Sequence, residues 1–208
     1  MSDAQLLLFV VTSLVVIVTP GQDMILVMSR SITQGSAAGI VTAAGVSTGL
    51  LGHTLLAGVG LGSLLLASET LFSVLKLVGA TYLIYLGVRL LRTKAASLEV
   101  AGLRAAPLRR LFVEGALSNL SNPKIAIFYF AFLPQFIAAD TARPTEVLLM
   151  LGAAFAALTF VVKGPVGYFA GALSAWLRAR PRVLVGMHRT SGAVLVALGV
   201  RLAFERRG

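Results

Sequence analysis

Long apolar runs dominate this chain and leave it few places to fold except a lipid bilayer. Stretches at about 4–28, 37–66, 71–91, 111–138, 147–177 and 183–204 are each long enough to cross a hydrocarbon core, which takes roughly 20 residues of helix. Within lipid, backbone N–H and C=O groups must be bonded inside the segment, so such spans are helical. Only 12% of residues are charged while 57% are hydrophobic, at a mean hydropathy of +0.90. Soluble domains carry about a quarter charged residues. The expected class is an all-α integral membrane protein of about six transmembrane helices. Residues 1–208 form a single transmembrane domain with no room for a sizeable soluble one.

The net charge of +10 and pI of 11.1 would suit nucleic acid, but the distribution argues against that partner. Arg89, Arg92, Lys94, Arg104, Arg109 and Arg110 flank one connection, and Arg178, Arg180, Arg182 and Arg189 flank another. Basic residues clustered beside apolar spans mark cytoplasmic loops. With the N-terminus outside, those loops and Arg30 collect eleven of the eighteen Lys and Arg residues. The chain has no cysteine, which excludes thiol–disulfide relays and thiolate metal sites; no cofactor or metal is expected. Asp3 and the lack of a basic leader make the first run a retained span.

Two spans are interrupted in the same manner. In the first, Val18-Thr19-Pro20-Gly21-Gln22-Asp23 reads as a break followed by a new helix. Thr19 suits the N-cap, Pro20 the first helical position, and Gln22 completes a capping-box pattern. In the fourth, Asn122 is the expected cap and Pro123 opens the second half, with Lys124 behind it. A third break is expected at Lys163-Gly164-Pro165. The halves also resemble each other. Phe9 precedes Pro20 by the spacing that separates Phe112 from Pro123, and Leu86-Gly87-Val88-Arg89-Leu90 is echoed by Leu198-Gly199-Val200-Arg201-Leu202. The expectation is two inverted three-helix repeats, 4–92 and 111–205, joined by a cytoplasmic connection at 93–110. Inverted repeats with broken helices at their interface are a transporter architecture.

Asp23 is the leading functional residue, because a carboxylate within an apolar span is costly unless used or paired. It reads as a proton carrier or ammonium partner, or as a cap on its own helix. Lys124 reads as a carboxylate binder or as the structural partner of Asp23. Lys76 is expected to snorkel to the interface, and Lys163 is undecided. His53 continues the small-residue row Gly45, Gly49, Ala57, which places it at a helix contact as a hydrogen-bonding group or a proton relay. Gly45-Val46-Ser47-Thr48-Gly49 imitates a nucleophile elbow, but that motif needs a strand-to-helix turn. An enzyme is therefore not expected. The run Phe128, Tyr129, Phe130, Phe132, Phe136 reads as a lipid-facing belt.

Taken together, Thr19-Pro20-Gly21-Gln22-Asp23, Ser29-Arg30, Gln34-Gly35, the segment from Lys76 to Gly87, Gly115, Asn119, Asn122-Pro123-Lys124 and Pro134-Gln135-Phe136 resemble the LysE/RhtB family of amino-acid exporters. The Pro-Gly signature of that family usually has a second proline where this chain has Gln22. The resemblance implies a bacterial inner-membrane exporter of amino acids or close derivatives, driven by protons. Substrate would sit between the two broken helices. The binding set is then Thr19, Gly21, Asp23, Asn119, Asn122 and Lys124, with Asp23 and His53 as proton-coupling candidates. A homodimer is compatible with this reading. The alternative is a non-transport membrane protein, an assembly or sensor subunit, in which the buried charges only hold the fold.

Overall fold

The structure, a computed structural model, describes residues 3–67, 69–93, 104–137 and 141–204. Among them every regular element is helical. Pro20 cannot donate to the turn before it, and the first span divides there into α1 (Asp3–Val18) and α2 (Gln22–Gln34), bent by 54°. Gly35 then turns the chain at φ 91°, a conformation that favours glycine, into α3 (Ser36–Ala67). The helix α4 (Glu69–Leu91) follows. The fourth span begins with α5 (Leu108–Leu120) and α6 (Pro123–Ile127). It continues as a π-helix (Phe128–Phe132) and a 3-10 turn (Leu133–Phe136). The rest is α7 (Pro144–Tyr168), α8 (Ala170–Arg178) and α9 (Pro181–Phe204).

Among the described residues, three helical stretches are long and apolar enough to span a membrane, at Ser36–Gly60, Pro144–Tyr168 and Pro181–Phe204; the bent α1–α2 pair makes a fourth. Six were expected. The run at 111–138 does not count by length, because it is divided into pieces of at most 13 residues. The break expected at Pro165 is absent: α7 continues through it to Tyr168, and Phe169 N–H closes on the Pro165 carbonyl at 2.9 Å. One missing N–H in a helix packed along α3 is tolerated, and the turn comes after Tyr168 instead.

α3 is the axis of the molecule, lying along α7 and α5 and crossed by α2, while α4 pairs with α9. Small residues permit these approaches, as they do between helices in lipid. A Cβ on Gly49 would stand 2.6 Å from the Ala116 carbonyl oxygen, and one on Gly87 2.7 Å from that of Gly192. The aromatic run is core, correcting the expected belt. Phe128, Tyr129, Phe132 and Phe136 are buried, with Phe128 stacked on Phe155 at 4.7 Å and Phe136 edge-on to Phe9 at 5.4 Å. Their spacing of one, four and eight puts them on one side of a helix, and that side faces α7 and α1.

Candidate functional site: a buried carboxylate between two broken helices

The two breaks are built differently. Asn122 caps α6 as expected: its Oδ1 accepts from Lys124 N–H at 3.1 Å, and Pro123 takes the first helical position. Thr19 does not cap α2. Its hydroxyl donates back to the Val15 carbonyl, closing the end of α1, a local bond that threonine makes readily. The N-cap of α2 is Gly21, in extended backbone and without a side-chain bond. Gln22 completes no capping box. Its Nε2 crosses to α5, donating to the carbonyl and hydroxyl oxygens of Ser118 at 2.9 and 3.0 Å.

Asp23 lies in the first turn of α2, where the helix dipole favours a carboxylate. It is 3% exposed. Its Oδ2 accepts from Asn119 Nδ2 at 2.9 Å, Asn122 Nδ2 at 3.3 Å and Lys163 Nζ at 3.4 Å. Its Oδ1 accepts from the Ser118 hydroxyl at 3.3 Å. The carboxylate therefore joins α2 to α5, to the cap of α6 and to α7. The ion-pair partner is Lys163, not Lys124. Lys163 is buried on α7 and is the residue whose role the sequence left undecided.

Lys124 goes elsewhere. Its Nζ donates to the Val16 carbonyl at 3.1 Å. That carbonyl belongs to the last turn of α1, where carbonyl oxygens lack helical partners and the dipole is negative. A Cβ on Gly21 would stand 3.6 Å from the same ammonium, so Pro20 and Gly21 shape the space beside it. Two lysines thus stand around one carboxylate.

Asn119 links a further group to the site. Its main-chain carbonyl lies 3.2 Å from His53 Nε2. A carbonyl only accepts, so this nitrogen carries the proton. His53 Nδ1 and Asn119 Oδ1 are buried without partners. The His53 ring lies 5.6 Å from that of Tyr129, whose hydroxyl donates to the Gly152 carbonyl at 3.2 Å.

A second polar cluster ties the other end of α2 to α5. Arg30 is buried, pairs with Glu114, and donates to the Arg104 carbonyl at 2.8 Å. Gln34 and Ala106 exchange two hydrogen bonds, at 2.8 and 3.0 Å. The sequence reading placed Arg30 as a loop base only and passed over Glu114; the seven-residue step from Asp23 to Arg30, which puts both on one side of α2, was the available signal. Among the described residues, no group of three His, Asp or Glu side chains is placed to hold a metal ion.

A helical, multi-pass membrane protein with a buried carboxylate and one lysine at its broken helices, and a second lysine reaching in from α7, is the class these features define. The family model for the LysE type translocator matches residues 14–206, and the chain belongs to that family. It is 33% identical over 199 residues to a homoserine/homoserine lactone efflux protein of Salmonella typhimurium, covering 95% of each chain. It is 34% identical over 193 residues to an uncharacterised membrane protein of Pseudomonas aeruginosa, covering 90% of this chain and 89% of that one. A leucine efflux protein of Salmonella typhimurium is 30% identical over 137 residues, covering 65% and 64%. No solved structure shows significant similarity to this chain.

Proposed function

We propose that this chain is a secondary active exporter of amino acids or close derivatives across the bacterial inner membrane, coupled to protons. The single observation that carries the reading is the buried Asp23 carboxylate, bonded to Asn119, Asn122 and Lys163 while Lys124 holds only a main-chain carbonyl. An amino acid brings one ammonium and one carboxylate. Its ammonium replaces Lys163 at Asp23, and its carboxylate meets Lys124 beside Asn122, with Thr19 and Gly21 bordering the site. Asp23 and Lys124 then each hold an opposite charge, as a low-dielectric site favours, and Lys163 is released from the carboxylate. A proton taken up by Asp23 on the far side weakens its hold on the ammonium and releases the substrate. His53, reached through Asn119, is the candidate relay for that proton. The relatives named for efflux of homoserine, its lactone and leucine support this substrate class. The architecture that goes with it is two inverted repeats, 4–92 and 111–205, with the N-terminus outside.

The second reading is a structural ion pair in a protein that transports nothing, and the Asp23–Lys163 contact favours it. Asp23→Asn alone does not separate the two, because it strands Lys163 in either case. Asp23→Asn together with Lys163→Gln removes both charges and keeps the shape. In vesicles with an imposed pH gradient, the folded double variant is expected to lose export by about a hundredfold or more, the loss of a transition-state charge interaction of a few kcal/mol. Export at the wild-type rate would leave the pair as structure only.

A further inference from the structure

Beside Asp23, α2 and α5 leave a cleft of about 550 Å³ open to the flank of the molecule. Gln22, Ile25 and Ser29 of α2 and Glu114, Leu117 and Ser118 of α5 line it. We infer that this cleft is the side-chain pocket of the transport site and selects substrates with uncharged side chains, apolar or hydroxylated. The inference rests on the exporter reading above.

Three observations place it there. Ser118 belongs to both places: it lines the cleft, and its hydroxyl donates to Asp23 Oδ1 at 3.3 Å. An ammonium bound at Asp23 therefore lies one hydroxyl away from the cleft, and the side chain on the same carbon is directed into it. Next, Ser29 also lines the cleft, is 2% exposed, and its hydroxyl has no hydrogen-bond partner. A buried hydroxyl without a partner is costly, and a hydroxyl or carbonyl on the guest would satisfy it. Ile25, Leu26 and Leu117 supply the apolar walls, and Gln22 and Ser121 complete the lining. Last, the carboxylate in the lining is already taken. Glu114 Oε2 pairs with Arg30 and Oε1 with Arg110 at 2.9 Å. A cationic side chain would find no unpaired acid and would face the Arg30 guanidinium.

The test uses full-length protein in vesicles and in detergent, with alanine, leucine, homoserine and lysine as probes. Transport rate and thermal stabilisation by each probe are measured for wild type and for Leu117→Trp, which narrows the cleft, and Leu117→Ala, which widens it. Leu117 is 59% exposed, so neither change disturbs a packed core. Leu117→Trp is expected to weaken leucine about tenfold or more and alanine less than about twofold, the scale of a shape change in an apolar pocket. Ser29→Ala is expected to weaken homoserine about three- to tenfold relative to leucine, the worth of one hydrogen bond. Wild type should bind lysine least. Equal loss for alanine and leucine in Leu117→Trp overturns the inference, as would a change in oligomeric state or lipid dependence alone, which would make the cleft a seat for a second copy or an acyl chain. If wild type transports none of the four probes, it is the exporter reading that fails.

Discussion

Lys124 and Lys163 should not cost the same to remove. Lys163 sits 5% exposed against a carboxylate, whereas Lys124 is half-buried and bonded to a neutral carbonyl. Lys163→Gln removes the direct ion-pair partner of the buried Asp23, and the expected loss of stability is about 3–5 kcal/mol. Lys124→Gln exchanges one neutral-partner hydrogen bond for a weaker one and is expected to cost under about 1.5 kcal/mol. Thermal unfolding of the purified proteins measures both. In transport the order reverses for a substrate with a carboxylate. Lys124→Gln should raise KM for leucine about tenfold or more while leaving leucine amide nearly unchanged, because only the former offers an anion to that ammonium. A Lys124→Gln protein that handles leucine and its amide as wild type does would remove Lys124 from the binding set.

Among the elements, α5 depends on α3 for its position, and glycines set the distance. Leucine at Gly49 would push against the Ala116 carbonyl and against Asn119 Cβ at 2.9 Å, moving the amide that Asp23 needs. Overpacking of this kind costs typically 1–3 kcal/mol. Gly49→Leu is therefore expected to lower folding yield and to abolish ligand-dependent stabilisation in whatever protein survives purification; normal yield with normal binding would mean that α5 is not held by this contact. The row that carries this prediction was legible in the sequence, because glycine at every fourth position of an apolar run has a direct packing meaning. Asn122-Pro123 was legible for the same reason: cap and proline are local chemistry. Thr19 was misread because Pro20 and Gly21 separate its hydroxyl from α2, and only the backbone path decides which helix it closes. Lys163 lay 140 residues from its partner Asp23, and no spacing rule reaches that far. The aromatic run was open to a better reading from its periodicity, but a chain whose outside is also apolar gives no contrast between a face for lipid and a face for the core.

At the scale of the whole molecule, the charge of its loops carries the expected polarity of the chain across the membrane. The cluster at Arg89, Arg92 and Lys94 and that at Arg104, Arg109 and Arg110 enclose residues 95–103, which lie outside the described residues. By the basic-residue rule this connection is expected in the cytoplasm. Because the chain has no cysteine, Ser97→Cys and Ala142→Cys each give a single reactive thiol. In intact cells an impermeant maleimide should label the second and spare the first. Labelling of Ser97→Cys alone would invert the molecule, and with it the direction in which Asp23 meets protons.

Two lysines around one carboxylate have an electrical meaning. With all three ionised, the empty site carries one excess positive charge, and in a cell whose interior is negative the membrane voltage pulls that charge inward. Moving one charge across 100 mV is worth about 2.3 kcal/mol, or about fifty-fold in occupancy. On the exporter reading proposed above, voltage would hold the unloaded carrier open to the cytoplasm, where export begins. A zwitterion adds no net charge, so the loaded site leaves against the same pull. On the same reading, a proton gained at Asp23 outside would make the returning site doubly positive and its return steeper. The imbalance around Asp23 would make the resting carrier a loaded spring for the next outward step.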